Sequence, residues 1–327
     1  MKTTHLLLSI PLALLAVTGC TSDELQEKPQ TNEKGEYAVH FSGNMDMTLT
    51  KAGTTDVATG VKATISAYTK DDDVISKTAI VSKGYTVGIT AGAFVGDESY
   101  VMYLPKGDYD FYSVSTNSAT AAPTFISGVS TVLANGVDYL WATSANFNVP
   151  TNTNKEVTLA FQRKAVKIII NVVSGDGVEL TGWKATAATD NDNATITPPD
   201  PSTTVKMALA NGTITPATGL TTAENMKTVA VDASAHTATA SYIMLPLGSG
   251  QNPIVTLNVK VKIGGRDEAD KQYTATLTAP SSTSSAFQSG NQYTYTATLK
   301  ANKIELTGAT VANWSEQTGD ALTPTEP

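Results

Sequence analysis

Acid–base and nucleophilic catalysis needs His, Cys, Ser or carboxylate groups that converge, and this 327-residue chain offers few of them. Its three histidines are His5, His40 and His236. His236 follows Asp232 and Ser234, the residue types of a hydrolytic triad, but triad members must meet in a set geometry. Three polar groups so close together in a Thr- and Ala-rich stretch read as a solvated loop. Asp71-Asp72-Asp73, after Lys70, reads as a charged hairpin turn. Asp190-Asn191-Asp192-Asn193 alternates oxygen ligands as calcium loops do, but the following Gly and the closing Glu are missing, since Pro201 stands twelve positions in. A polar turn is the expectation there. No positioned acid–base pair emerges, so we expect no enzyme, no catalytic residue, no metal and no cofactor.

One residue does carry chemistry. Cys20 is the sole cysteine, which excludes a disulfide within the chain. It follows Lys2 and the apolar run Leu6–Val17. A helix of that length spans about 18 Å, well short of the roughly 30 Å of a bilayer core, so the run reads as a signal-peptide segment. Val17-Thr18-Gly19-Cys20 resembles the bacterial lipobox, in which small residues let the signal peptidase cut beside a lipidated thiol. That resemblance implies residues 1–19 as a lipoprotein signal peptide, acylation (palmitate among the chains) at Cys20, and a Gram-negative outer-membrane location. Several acyl chains anchor firmly, at about 0.8 kcal/mol per buried methylene. Thr21 argues against retention in the inner membrane, and Ser22-Asp23-Glu24 resembles an acidic surface-export signal. Residues 20–36 are polar and read as a flexible tether.

The elements that follow are strands. Only 16% of residues are charged, below the roughly 25% of an average domain, and the abundant β-branched Thr favours extended chain over helix. From Tyr37 the odd positions Tyr37, Val39, Phe41, Gly43, Met45, Met47 and Leu49 are apolar or Gly, while the even ones are small or polar. That is a strand with one buried face, about twice the ordinary length. Further strands are expected at 61–68, 100–104, 109–115, 157–161, 165–173, 241–245, 254–263, 273–277, 293–299 and 304–314, parted by Gly, Pro, Asn and Asp clusters. The class is all-β. Tyr100-Val101-Met102-Tyr103-Leu104-Pro105 is echoed by Ser241-Tyr242-Ile243-Met244-Leu245-Pro246, about one domain length later. We therefore expect two sandwich domains, 37–160 and 161–327, with EVTLAFQRKAVKIIINVV running from the last strand of one into the first of the next. Trp141, Trp183 and Trp314 read as core or domain-interface residues before a sugar platform. With 22 basic against 30 acidic residues and a net charge of −8, the chain has no basic patch, and nucleic acid is excluded as a partner.

The order of these motifs resembles the fimbrillin family, the donor-strand subunits of type V pili. The residues that carry the resemblance are the lipobox, the long strand 37–49 ahead of Thr50-Lys51-Ala52-Gly53, LPKGDYDFYSV, VTLAFQRKAVKIIINV, and FQSGNQYTYTATLKANKIELTGATVANW. The resemblance implies two transthyretin-like β-sandwich domains in tandem. It also implies export as a lipoprotein, removal of the strand within 37–51 by cleavage between Lys51 and Ala52, and assembly by strand exchange with other pilus subunits, for adhesion at the cell surface. Tyr37, Val39, Phe41, Met45, Met47 and Leu49 would fill the groove until the cut, which prevents premature β-strand addition. Ile304, Leu306 and Trp314 would belong to the donor strand. The family's processing sites follow an Arg, whereas the first Arg here is Arg163, so cleavage at Lys51 requires a Lys-accepting protease. An uncut subunit would instead suit an anchor role. Stalk, tip and anchor stay open. The alternative is a permanently anchored outer-membrane lipoprotein that binds glycan or another host-surface ligand.

Overall fold

The computed structural model describes residues 31–45, 55–150, 156–185, 193–202 and 204–314. Cys20, Met47, Leu49, Lys51, Ala52, Asp190 and Asp192 lie outside them. Among the described residues the helical turns are two short 3-10 segments, Asp97–Ser99 and Ser281–Thr283. All other regular structure is strand, as the composition predicts.

The first half opens with β1 (Tyr37–Met45), β2 (Thr55–Asp56), β3 (Lys62–Thr69), β4 (Val81–Val87) and β5 (Ala93–Gly96). It continues with β6 (Met102–Leu104), β7 (Gly107–Ser115), the hairpin β8 (Phe125–Ile126) and β9 (Val129–Ser130), β10 (Leu140–Val149) and β11 (Glu156–Arg163). The sheet runs β11-β10-β7-β3-β4-β5-β1, and β1 then pairs in parallel with β11, so the path returns to its start. β1 is the strand on which the sheet closes. Its other flank is shared by three partners, all antiparallel: Tyr37 opposite Leu104 in β6, Phe41 opposite Phe94 in β5, and Asn44 opposite Asp56 in β2.

The second half comprises β12 (Val166–Ser174), β13 (Val178–Trp183), β14 (Ala194–Ile196), β15 (Glu224–Asn225) and β16 (Lys227–Asp232). Next come β17 (Thr237–Met244), β18 (Ile254–Ile263), β19 (Ala269–Thr276), β20 (Asn291–Leu299) and β21 (Ile304–Asn313). One sheet is ordered β16-β17-β12-β20-β21, the other β13-β18-β14-β15 with β19 also on β18. In β12, Val166, Ile168, Ile170 and Val172 are all fully buried, the alternation that a half-buried strand requires.

The two halves repeat one arrangement. β1 is parallel to the last strand of its half, Phe41 facing Val157, and β12 is parallel to β20, Ile168 facing Tyr293. The Leu-Pro echo also has a shared structural role. β6, which ends at Leu104, pairs with β1, and β17, which ends beside Leu245, pairs with β12.

Each half has its own apolar cluster. The first gathers residues such as Phe41, Ile65, Met102, Phe111 and Phe161. The second holds the β12, β18 and β20 side chains, and it also takes Tyr68, Val114, Leu133 and Trp141 from the first half. β7 thus turns Phe111 to one core and Val114 to the other. Backbone bonds fasten this junction, Ser130 N to Met207 O at 2.9 Å and Leu133 N to Val205 O at 3.0 Å. β11 and β12 are separated only by Lys164 and Ala165.

Candidate functional site

The site with functional potential is the seat of β1. Val39, Phe41 and Met45 are buried, His40 is exposed and Tyr37 half-buried, so the odd-numbered face does turn inward. Ala38 departs from that pattern: it is buried too, where the strand passes β6. Phe41 lies at the centre. Its ring meets those of Tyr85 and Phe111 edge-on, with centroids 5.3 Å apart in each case, the geometry that aromatic quadrupoles favour. Full burial of an apolar side chain stabilises by roughly 1.5–3 kcal/mol, so β1 contributes several kcal/mol through three side chains alone. Without it, the backbone groups of β11 on one side and of β5 and β6 on the other would lose their ladder partners.

Gly43 is the tightest point of the seat. A Cβ there would stand 2.6 Å from Phe94 Cε2 and 3.0 Å from Phe161 Cε2, and these two rings lie 6.0 Å apart, centroid to centroid, across the strand. The inward sequence pattern of β1 is therefore large-large-none-large at Val39, Phe41, Gly43 and Met45. On the wet face, Ser42 Oγ donates to Thr158 Oγ1 at 3.3 Å.

Beneath Phe41 the Tyr85 hydroxyl is buried with no hydrogen-bond partner, and burial pushes its pKa upward. Between the ordinary Tyr value near 10 and the raised folded value, the unfolded chain ionises while the folded one stays protonated. Stability is accordingly lost as pH climbs above about 10. Tyr85→Phe removes both costs. It should raise stability at neutral pH by about 1 kcal/mol and flatten the alkaline decline, as read by urea denaturation at pH 7 and pH 10.5.

The C-terminal residues lie elsewhere. β21 is an edge strand of the second half, antiparallel to β20, with Ile304 and Leu306 half-buried against the second core. Trp314 is buried, its ring 4.6 Å from the Arg163 guanidinium. Arg163 in turn is paired with Asp138, Nε to Oδ2 at 2.9 Å with both side chains buried, and Asn117 Nδ2 donates to the same oxygen at 2.8 Å. The structure therefore does not bring Ile304, Leu306 and Trp314 to β1, because they occupy the far half of the same chain. The Asp138–Arg163 pair carried no sequence signal, being 25 positions apart with no motif around it.

The remaining candidates have structural roles. Trp141 Nε1 donates to the Leu209 carbonyl and Trp183 Nε1 to that of Val229, each at 2.7 Å, and all three tryptophans are buried. They form no exposed aromatic platform. Asp232 Oδ1 accepts from the Ser234 backbone and hydroxyl at 2.8 and 2.6 Å, while His236 Nδ1 lies 3.1 Å from the Leu180 carbonyl. The carboxylate thus caps a turn, and the imidazole nitrogen is engaged by a backbone carbonyl of another strand. Asp73 likewise caps the Ile75 amide at 3.0 Å. Among the described residues no group of three His, Cys, Asp or Glu is arranged to hold a metal ion, and no helix is long and apolar enough to cross a membrane.

No curated protein matches the chain by sequence. Solved structures do share its fold. A candidate cell adhesion protein from Bacteroides uniformis ATCC 8492 is 19% identical, with a TM-score of 0.55 over 87% of this chain and 100% of its own. Another from Bacteroides ovatus ATCC 8483 is 16% identical, with a TM-score of 0.57 over 86% of this chain and 99% of its own. The profile of the fimbrillin-like family matches residues 50–314, which takes in almost every strand described above. The chain belongs to the fimbrillin-like family, a family of fimbrial and adhesion subunits.

Proposed function

We propose that the protein is exported as a lipoprotein acylated on Cys20, held at the outer membrane, and built into a fimbria by strand exchange. Cleavage between Lys51 and Ala52 frees β1, and a strand of another subunit takes its seat. Residues 37–160 and 161–327 act as two tandem transthyretin-like β-sandwich domains. What supports that division is the pair of apolar clusters and the parallel pairing, in each half, of the first strand with a strand near the end of that half, β1 with β11 and β12 with β20.

The observation that carries the reading is the position of β1. It is paired on both flanks and buries Val39, Phe41 and Met45, yet its covalent link to the rest of the chain passes through the segment holding Lys51-Ala52. One cut converts an internal strand into a replaceable one, with main-chain pairing for affinity and alternate side chains for register. Arg163 is buried in an ion pair, which leaves it unsuited to proteolysis in the folded protein.

The test is the intact mass of the protein recovered from the cell surface. A chain beginning at Ala52 supports the reading, and Lys51→Ala should then leave the chain beginning at acylated Cys20 and absent from polymers. A wild-type chain that begins only at acylated Cys20 refutes strand removal.

A second reading, an anchored lipoprotein that binds a neutral glycan or another host ligand, is favoured by one feature. A cleft of about 520 Å³ lies between β3 and the β8–β9 hairpin, lined by hydroxyls of Thr64, Ser66, Ser82 and Thr124. Ile75 and Ile126 stand at it 61% and 73% exposed, and exposed apolar groups gathered at a cleft mark interaction surfaces. Retention of acylated Cys20, together with saccharide binding that Ile126→Asp abolishes, would establish it.

A further inference from the structure

The cleft between β3 and the β8–β9 hairpin is built by both halves of the chain. One side is the face of β3 and β4 turned away from the first core, where Ser66 and Ser82 stand opposite each other with their hydroxyl oxygens 2.8 Å apart. The other side is the hairpin, which turns through Ser127 and Gly128, both at positive φ. A Cβ at Gly128 would come 2.9 Å from the Val74 carbonyl oxygen, so glycine is what lets the turn sit this close to the loop after β3. The second half holds the hairpin in place. Leu209 N donates to the Gly128 carbonyl at 2.8 Å, and Val129 pairs with Ala208. A pre-formed concavity at such a junction is where ligands commonly bind.

The lining decides what fits. Apart from Lys77, every polar side chain in it is a hydroxyl, a group that both donates and accepts and so meets a saccharide hydroxyl in either sense. Among the described residues that line the cleft there is no carboxylate, in a chain with 30 acidic residues. The two aromatic rings are already engaged. Tyr68 is buried edge-on to Tyr112, with centroids 5.6 Å apart, and Phe125 packs on the second core. The apolar groups left open are the branched aliphatic chains of Ile75 and Ile126. An aromatic face would stack on the flat side of a sugar ring; a branched aliphatic chain offers no such face and packs instead on a methyl group.

We propose that the cleft takes a saccharide bearing a methyl group, as a 6-deoxy or an N-acetylated sugar does, with the methyl against Ile75 and Ile126 and ring hydroxyls on Ser66 and Ser82. This rests on the glycan-binding reading above and adds to it the class of sugar. None of the lining residues belongs to β1 or to a strand that pairs with it, so binding does not depend on whether β1 is resident or replaced.

The experiment is a ligand-observed NMR titration of the full chain with three pairs of free sugars: D-fucose and D-galactose, L-rhamnose and L-mannose, N-acetylglucosamine and glucose. Glucuronic acid is added as an anionic probe. In at least one pair the methyl-bearing member should bind about fivefold more tightly than its parent, below what a methylene gives in a closed pocket, since Ile75 and Ile126 are themselves exposed. Ile126→Ala should bring that ratio near one, while Ser82→Ala should weaken both members together; both positions are exposed, so the fold is kept. The pair that responds tells the deoxy from the acetamido group. Equal binding within every pair overturns methyl recognition and leaves the glycan reading intact. Binding of no sugar overturns both. Tighter binding of glucuronic acid than of all six neutral sugars overturns the proposal in favour of an anion site at Lys77, and a ratio unchanged by Ile126→Ala overturns it by placing the sugar elsewhere.

Discussion

Phe41→Ala is expected to destabilise the uncut protein by about 3–5 kcal/mol, the usual cost of emptying a buried aromatic site. The ring is 2% exposed and is flanked edge-on by Tyr85 and Phe111, themselves buried. Its backbone is held on both sides, by Val157 in β11 and Phe94 in β5, so neither the strand nor its neighbours can collapse into the void. His40→Ala, one residue away on the wet face, should change stability by no more than about 0.5 kcal/mol. Urea denaturation of both variants measures the contrast. There are two apolar clusters, the second of which also takes side chains from the first half, so a single two-state fit is not assumed. A Phe41→Ala loss below about 1 kcal/mol would contradict the role of β1 as the strand that completes the first core. The same variant should release β1 faster after cleavage at Lys51.

The second large effect is expected at the junction. Asp138→Ala removes the carboxylate that stands 2.9 Å from the buried Arg163 Nε, and breaking a buried pair in this way costs about 3–5 kcal/mol. The loss should change little between low and high salt, since a pair with both side chains at most 5% exposed is poorly screened. Removing both charges, as Asp138→Leu with Arg163→Met, should recover most of the stability, because replacing a whole buried pair by apolar groups is often near neutral. Thermal unfolding of the three variants at two salt concentrations separates these cases. If the double variant is as unstable as Asp138→Ala, the pair acts through geometry rather than charge. Because Trp314 N also donates to the Gly290 carbonyl at 2.8 Å, the end of β21 should become more accessible to proteolysis in Asp138→Ala.

The legible parts of the fold are those where one face is buried. β12, β18 and β20 alternate cleanly, β1 does so apart from Ala38, and the side chains of each mark it as a strand. β4, β10 and β16 are not so marked. β4 is largely wet over Val81–Gly84, β10 breaks its alternation where its pairing shifts between Ser144 and Phe147, and β16 leaves Val229 53% exposed. A strand whose partners and bulge decide its burial leaves little period in the sequence. Parity of the site was readable, since alternation fixes which side chains face inward. The return of the sheet from β1 to β11 was not, for it depends on pairing across more than a hundred residues. Gly43 read simply as a small member of the inward face. Its purpose becomes visible only when Phe94 and Phe161, from two other strands, are seen to occupy the space of its side chain.

The parallel pairing of β1 with β11 also has a mechanical consequence. β11 passes through two residues into β12, so tension on the second half pulls β11 from its C-terminal end. A donor strand seated as β1 is, and joined to its own subunit at its N-terminal end, would be pulled from that end. Parallel neighbours drawn toward opposite ends are loaded in shear, with all their hydrogen bonds resisting together. An antiparallel seat loaded at the same ends would open one bond at a time, like a zip. The direction of one strand thus sets whether a linkage between subunits holds or peels under flow.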